Sequence, residues 1–182
     1  MAKLAVGDGV AGRDLTAIDG STVRVPDPGS LVHLQLRRFA GCPICHLHVH
    51  QLARRHEEIK AAGIREVVVF HSEASALLEY QGDLPFDVIA DPDKALYREF
   101  GVESSIRAVL HPRVAAAAVR GIGHGASIKG GATATEDRLS MPADFLIGPD
   151  GTVLAAKYGK HADDQWSVDE LLALASRKAG AA

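Results

Sequence analysis

Apolar and polar residues follow one another along this chain in short blocks that predict strands and helices in turn. Buried strands are predicted for the runs LVHLQL (31–36), REVVVF (65–70) and FDVIADP (86–92). Helical periodicity follows each run, in PICHLHVHQLARRHEEIKAAG, SEASALLEY and DKALYREFG, and we expect Ser72 to cap the second of these helices. Because strands alternate with helices, the pattern predicts the parallel crossover units of an α/β sheet.

Two further segments predict β-hairpins. Near the N-terminus, AGRDLTAIDGSTVRVPD turns at Asp19-Gly20, and near the C-terminus ADFLIGPDGTVLAAKYG turns at Pro-Asp-Gly. The last helix, SVDELLALASRKAG, has Ser167 as its cap and Glu170 at the third helical position. Antiparallel hairpin strands beside parallel strands mean that the central sheet is mixed.

Residues 106–139 do not continue this alternation. Their glycine-rich part, GIGHGASIKGGATATED, contains neither GxxxxGK[ST] nor GxGxxG between a strand and a helix, so we do not expect a phosphate site. We predict an insertion in which residues 121–136 form a loop that is mobile or held by another chain. The whole chain, 1–182, is predicted to be a single domain.

Composition excludes several classes of function. The chain has 20 basic and 23 acidic residues, a net charge of −3, and no basic block that would follow a phosphate backbone. We therefore expect no nucleic-acid partner. Its apolar runs are too short to span a bilayer, so we expect no membrane insertion and, by default, a cytoplasmic protein.

Both cysteines of the chain lie in one stretch, RRFAGCPICHLHVHQL (37–52). Pro43 suits the first position of a helix, which leaves Cys42 at or next to the N-cap and Cys45 in the first turn. Unpaired N–H groups and the helix dipole at this end favour a thiolate and lower the pKa of a cysteine. A Cys-x-x-Cys at a strand-to-helix junction of a cytosolic chain therefore predicts a redox dithiol.

The helical wheel predicts that the two sulfurs differ in exposure. Cys42 precedes the helix and should be exposed, whereas Cys45 falls inside the apolar stripe and should be partly covered. That asymmetry suits a dithiol in which one sulfur attacks and the sheltered sulfur resolves the mixed disulfide. Two alternatives remain: packing of two small apolar residues, and a zinc site with one nearby histidine. A zinc site needs four ligands, which the sequence does not supply, so no metal site is predicted.

Four segments together resemble a known family. VGDGVAGRDLTAIDG, the GCPIC junction, LPFDVIADPDKALYREFGV and PADFLIGPDGTVL are similar to the alkyl hydroperoxide reductase and thiol-specific antioxidant (AhpC/TSA) group, the peroxiredoxin-like branch of the thioredoxin fold. The resemblance implies a thioredoxin-like α/β fold: a central mixed β-sheet flanked by helices, with an N-terminal β-hairpin and an inserted segment before the final hairpin.

The resemblance is incomplete at the site. Peroxiredoxins carry Pro-x-x-x-Thr/Ser-x-x-Cys, and aligning their peroxidatic cysteine with Cys45 places Arg38 at the proline and Cys42 at the threonine. The family also has an arginine near the start of the strand ADFLI, whereas this chain has Pro142 there. A proline at this position resembles the cis-proline that faces the dithiol in thioredoxins. We therefore expect a cis Met141–Pro142 bond beside the two sulfurs.

These features lead to a functional expectation. Arg38, or its neighbour Arg37, could supply the positive charge that Pro142 does not, and Phe39 is expected to help shape the site. Peroxiredoxin alignment nominates Cys45 as the attacking sulfur, whereas thioredoxin roles nominate Cys42.

The expected activity is that of a thiol-dependent antioxidant oxidoreductase without a bound cofactor. It would reduce hydrogen peroxide or organic hydroperoxides and be recycled by a thioredoxin-like or small-thiol reductant. The alternatives are a protein-disulfide reductase without real peroxidase activity and a non-catalytic or zinc-binding interaction module. The resemblance also suggests a homodimer.

Overall fold

The structure, a computed structural model, describes residues 2–102, 104, 120 and 139–179. Almost all of the predicted insertion, including the loop 121–136, lies outside the described residues. The strands are β1 Arg13–Thr16, β2 Thr22–Val25, β3 Leu31–Leu36, β4 Ile64–Phe70, β5 Asp87–Ala90, β6 Ala143–Ile147 and β7 Val153–Tyr158. The helices are α1 Pro43–Arg54, α2 His56–Ala61, α3 Ala74–Gln81, α4 Ala95–Glu99 and α5 Val168–Ala179.

A mixed five-stranded sheet of order β5-β4-β3-β6-β7 forms the centre of the fold. Strands β3, β4 and β5 are parallel, whereas β6 and β7 pair antiparallel with each other and with β3. Strands β1 and β2 form the predicted N-terminal hairpin. The prediction of a mixed α/β sheet is therefore confirmed, and β3, which leads into the dithiol, is its central strand.

Side chains of β3 alternate between two buried sides of the sheet. Val32, Leu34 and Leu36 enter an apolar cluster with residues of β4, β6 and α4. His33 and Gln35 point to the other side and are fully buried as well. Successive residues of one strand therefore meet very different surroundings.

The long helix predicted after the dithiol is divided in two at Arg55. This residue has φ −115° and ψ 20°, outside helical geometry, and its guanidinium donates to carboxylates of Glu58 and Asp169. The interruption leaves α1 as a separate twelve-residue helix, with Cys42 as its N-cap and Cys45 in its first turn. At the other end of the chain, the predicted Ser167–Glu170 capping box is confirmed by hydrogen bonds in both directions.

Candidate active site

The dithiol turn joins β3 to α1. The Cys42 N–H donates to the Phe39 carbonyl at 3.1 Å, which closes a tight turn, and Cys42 is the N-cap of α1 with extended backbone angles. Pro43 is the first helical residue, as predicted. The Cys45 N–H points back to the Cys42 Sγ at 3.4 Å. The first sulfur thus takes the place of a capping side chain at the positive end of the helix.

Arg38 brings a positive charge to the same sulfur. Its Nη1 lies 3.6 Å from the Cys42 Sγ, and its guanidinium carbon lies 5.3 Å from the centre of the Phe39 ring. The side chain is buried, although strand-end arginines are usually solvated. Of the two arginines considered from sequence, Arg38 is therefore the one that meets Cys42.

The two thiols have opposite pKa shifts. Burial raises the pKa of Cys42, but the hydrogen bond from the Cys45 thiol, the charge of Arg38 and the N–H groups of Cys45 and Ile44 outweigh it, so the pKa falls to about 6. For Cys45, burial and the neighbouring Cys42 raise the pKa well above its ordinary value. At neutral pH the pair therefore holds one thiolate, on Cys42, and one thiol, on Cys45.

The predicted difference in exposure is wrong. Cys42 and Cys45 are both fully buried, at 0% exposure. Both belong to a buried apolar cluster with the turn residues Phe39 and Ala40 and with Phe70 of β4. A helical wheel places residues around a helix axis but does not include the turn that precedes the helix, whose residues share the buried cluster with Cys42. The two thiols differ in the direction of their pKa shifts and not in their exposure.

Side chains distant in sequence hold the turn in place. Ser72 was expected to cap α3, but Glu73 is at the N-cap and the Ser72 hydroxyl instead accepts the Ala40 N–H at 2.9 Å. Gln81 donates to the Ala40 carbonyl at 3.2 Å. Both main-chain groups of Ala40 are therefore bound to residues of the β4–α3 region.

Arg37 anchors the strand that precedes the turn. Its Nη2 is fully buried and lies 2.5 Å from Asp144 Oδ1, 2.7 Å from Gln35 Oε1 and 3.0 Å from His48 Nε2. Burial alone would raise the pKa of Asp144, but the charge of Arg37 and the hydrogen bond from His33 hold that pKa far below its ordinary value. The contact with His48 fastens α1 to the sheet.

The charged cluster continues along the same side of the sheet. His33 Nε2 lies 3.2 Å from Asp144 Oδ1, and its Nδ1 lies 3.6 Å from Glu66 Oε1. Burial lowers the pKa of His33, but its hydrogen bond to Asp144 and the negative charges of Asp144 and Glu66 outweigh it, and the net pKa is raised. We call Arg37, Asp144, His33 and Glu66 the buried charge cluster.

The predicted cis bond at Met141–Pro142 is wrong, because this bond is trans; within the described residues, the cis X-Pro bond is Val25–Pro26. The Pro142 carbonyl accepts the Gly159 N–H at 2.9 Å, and the chain enters β6 in an extended form. This geometry is compatible with the trans isomer, which an X-Pro bond usually adopts. Two thioredoxin-like features were inferred for the site, the Cys-x-x-Cys and a cis-proline. The cis-proline is therefore absent.

The three histidines of α1 differ in their surroundings. All three are partly exposed, and the ring centres of His46 and His50 are 4.1 Å apart. Burial and the Arg37 charge hold the pKa of His48 well below its ordinary value. In the part of the chain that the structure describes, no group of three or more His, Cys, Asp or Glu side chains has a metal-binding arrangement. The same residues include no helix long and apolar enough to cross a bilayer.

Sequence reasoning missed the residues that hold the dithiol from a distance. Asp144 and Glu66 each occur inside an apolar strand, and a charged residue in such a run is rarely fully buried without a partner. That signal could have marked both as members of a buried pair. The sequence carries no comparable signal for Ser72 or Gln81.

The fold and the site define a class of protein: a thioredoxin fold with a Cys-x-x-Cys dithiol at the start of α1. The sequence then identifies the family. Residues 51–161 match the AhpC/TSA antioxidant enzyme family, and this chain belongs to it. The matched segment begins after the dithiol, so Cys42 and Cys45 lie outside it. Membership makes the chain a thiol oxidoreductase, a peroxidase or a disulfide reductase.

Solved structures are similar over nearly the whole chain. Peroxidoxin BcpB from Mycobacterium tuberculosis is 16% identical, with 94% of this chain and 96% of that chain covered and a TM-score of 0.67. AhpC from Mycobacterium bovis is 15% identical, with 100% and 96% covered and a TM-score of 0.69. A protein described as a thiol:disulfide interchange protein, DsbE, from Chlorobium tepidum is 21% identical, with 95% and 99% covered and a TM-score of 0.61. No curated protein sequence matches the chain.

Proposed function

We propose that this protein reduces hydrogen peroxide or small organic hydroperoxides, with Cys42 as the attacking sulfur and Cys45 as the resolving sulfur. One observation carries the proposal: the Cys42 Sγ lies 3.6 Å from the Arg38 Nη1 and accepts the Cys45 N–H at the start of α1, and these contacts lower the pKa of Cys42 while burial and Cys42 raise that of Cys45. The thiolate is the nucleophile in this chemistry. The assignment follows thioredoxin roles and differs from the one obtained by aligning Cys45 with the peroxidatic cysteine.

The proposed reaction has two steps. The Cys42 thiolate attacks one peroxide oxygen, the O–O bond breaks, and the second oxygen leaves with a proton as water or an alcohol. Cys42 is then a sulfenic acid. The Cys45 sulfur attacks the Cys42 sulfur, a disulfide forms, and the sulfenic oxygen leaves as water with the Cys45 proton. A thioredoxin-like or small-thiol reductant returns two electrons and two protons.

Arg38 has a second task in this proposal. Negative charge develops on the departing peroxide oxygen, and a guanidinium near the attacked atom stabilises it. The family's arginine near the start of β6 is replaced here by Pro142. Arg38 offers a comparable charge from the end of β3, so the missing arginine does not argue against peroxide chemistry.

The burial of both sulfurs favours a small oxidant. At 0% exposure, neither cysteine can meet a protein disulfide unless the turn moves, whereas a peroxide needs only a narrow opening. The second candidate function, protein-disulfide reduction, is supported by the low Cys42 pKa and by the likeness to the DsbE protein. Peroxide reduction therefore requires less movement of the dithiol turn than protein-disulfide reduction does.

Rapid mixing separates the two candidates. The reduced protein is mixed with hydrogen peroxide, an organic hydroperoxide and a model protein disulfide, and thiol loss is followed for each. We expect the peroxide rate to rise through about pH 6 and to level off above it, as the Cys42 thiolate forms. A fast reaction with the protein disulfide alone would favour the second candidate.

Mass spectrometry of variants identifies the attacking sulfur. Wild-type protein should form an intramolecular Cys42–Cys45 disulfide. Cys45→Ser should stop at sulfenic acid on Cys42 or overoxidise, while Cys42→Ser should react slowly, because burial, the largest cause of the raised Cys45 pKa, remains in that variant. Arg38→Met should slow the reaction, and the exposed Arg24→Met serves as the control for charge loss. An intact fold with no cysteine oxidation would overturn the proposal.

A further inference from the structure

Tyr97 lies beneath the dithiol turn and takes no part in the proposed reaction steps. Its side chain is buried, and its hydroxyl oxygen lies within hydrogen-bond distance of the Arg37 carbonyl and 2.9 Å from the Val69 carbonyl, so its single O–H is shared between these two acceptors. These carbonyls belong to the adjoining ends of β3 and β4, whose pairing continues through an Arg37 N–H bond to the Val69 carbonyl at 2.8 Å. The phenol therefore binds both strand ends at the point where the turn begins.

The position of Tyr97 is itself well determined. The Asp91 carboxylate accepts the N–H groups of Ala95 and Leu96, both at 2.9 Å, and the Asp91 N–H donates to the Phe70 carbonyl at 2.8 Å. These bonds fasten the start of α4 to the end of β4. The His71 ring also packs edge-on against the phenol, with ring centres 5.6 Å apart. The Asp91 bonds thus hold the helix that carries Tyr97 without involving the turn.

Contacts on both sides fix the main chain at Arg37. Asp144 holds its side chain from one side of the sheet, and Tyr97 holds its carbonyl from the other. The next residue, Arg38, has its carbonyl bound by the His71 N–H at 3.2 Å and its guanidinium 3.6 Å from the Cys42 sulfur. The direction in which the Arg38 side chain leaves the main chain therefore depends on the Arg37 peptide.

We propose that Tyr97 is a positioning residue for the dithiol: by binding the Arg37 carbonyl, its hydroxyl fixes the main chain that carries Arg38 onto Cys42. This inference rests on the proposed function, in which Arg38 supplies charge to the attacking sulfur. Burial, then the charges of Asp91 and Cys45, raise the pKa of Tyr97 well above its ordinary value. The hydroxyl consequently remains a donor throughout the range in which Cys42 titrates.

The test compares Tyr97→Phe with a matched control, Tyr158→Phe. The Tyr158 hydroxyl also makes two main-chain hydrogen bonds, to the Phe100 carbonyl at 2.6 Å and from the Leu4 N–H at 2.7 Å, but away from the dithiol. The Cys42 pKa is followed by thiolate absorbance against pH, with the oxidised protein as blank. In Tyr97→Phe we expect the Cys42 pKa to rise by roughly half a unit to one unit, because the Arg38 guanidinium is no longer held beside the Cys42 sulfur. In Tyr158→Phe it should stay unchanged.

A double-mutant cycle shows whether Tyr97 acts through Arg38. In an Arg38→Met background, Tyr97→Phe should cause little further change in the Cys42 pKa, because the group that Tyr97 positions is gone. Below the pKa, at about pH 5.5, Tyr97→Phe alone should slow the peroxide reaction by about threefold to eightfold as the thiolate fraction falls. Equal shifts in both tyrosine variants, or a full shift in the Arg38→Met background, would overturn the proposal.

The outcome can be separated from that of the proposed function. If the wild type does not react with peroxide, the proposed function fails, yet the pKa comparison still tests the positioning role. Circular dichroism establishes that each variant is folded. If Tyr97→Phe is not folded, Asp91→Asn, which weakens the anchor of α4, should raise the Cys42 pKa in the same direction by a smaller amount. No rise in a folded Asp91→Asn would then count against the proposal.

Discussion

The two sides of strand β3 are both buried, but only one of them carries charge. On one side, Leu34 and its neighbours pack in an apolar cluster; on the other, His33 and Arg37 enter the buried charge cluster with carboxylates of β4 and β6. Apolar packing stabilises the fold without a defined hydrogen-bond geometry, whereas ion pairs hold each partner in one orientation. The charged side is therefore suited to fix the strand end from which the dithiol turn departs.

The largest expected effect comes from breaking the buried ion pair. Asp144→Asn removes the carboxylate that lies 2.5 Å from Arg37 and 3.2 Å from His33. We expect the free energy of unfolding to fall by about 3–5 kcal/mol, because a buried charge loses its partner. Chemical denaturation at neutral pH measures it.

The double variant Arg37→Met/Asp144→Leu sharpens this result. It removes both charges, so much of the lost stability should return. We expect the Cys42 pKa to change in Asp144→Asn and to stay changed in the double variant, because in both proteins the ion pair that anchors the strand end before the turn is absent. A loss below about 1 kcal/mol in Asp144→Asn would show that the pair does not contribute to stability as described.

The apolar side is tested by Leu34→Ala. Leu34 is 1% exposed and lies in the central apolar cluster, so the cavity should lower the free energy of unfolding by about 2–5 kcal/mol. In contrast to the charged side, we expect no change in the Cys42 pKa as long as the protein is folded. A shift as large as that of the charge variants would mean that the dithiol responds to any loss of stability.

Local patterns predicted most of the fold. The three parallel strands, both hairpins and the Ser167–Glu170 capping box were predicted because each depends on residues close in sequence. The break at Arg55 was missed, since it involves a contact with Asp169 far along the chain. The single-domain organisation of residues 1–182 stays a prediction.

The site was predictable only in part, for the same physical reason. The Cys-x-x-Cys junction and the position of Pro43 follow from neighbouring residues. The pairing of Arg37 with Asp144 depends instead on strand register, which sets Gln35 opposite Asp144 across β3 and β6. Burial of the two sulfurs likewise depends on a turn held by distant side chains. A one-dimensional pattern does not contain these contacts.

The smallest expected effect is the pH dependence contributed by His33. Its Nε2 faces Asp144 and its Nδ1 faces Glu66, while Arg37 contacts the same Asp144 oxygen and His48 lies beside Arg37. The folded-state pKa of His33 is raised above its ordinary value of 6.5. Its stabilising contribution is therefore fully present below about pH 6.5 and is lost as the pH rises through the folded-state pKa.

The comparison of wild type with His33→Gln isolates this contribution, because groups that titrate alike in both proteins cancel in the difference. Below about pH 6.5, wild type should be more stable by about 2 kcal/mol, the range of hydrogen bonds to charged groups. The difference should narrow steadily at higher pH, and urea unfolding at a series of pH values measures it. A difference that widens with rising pH would mean that His33 is neutral in the folded protein. Burial would then outweigh the two carboxylates, and the charged side of β3 would hold one cation, Arg37, rather than two.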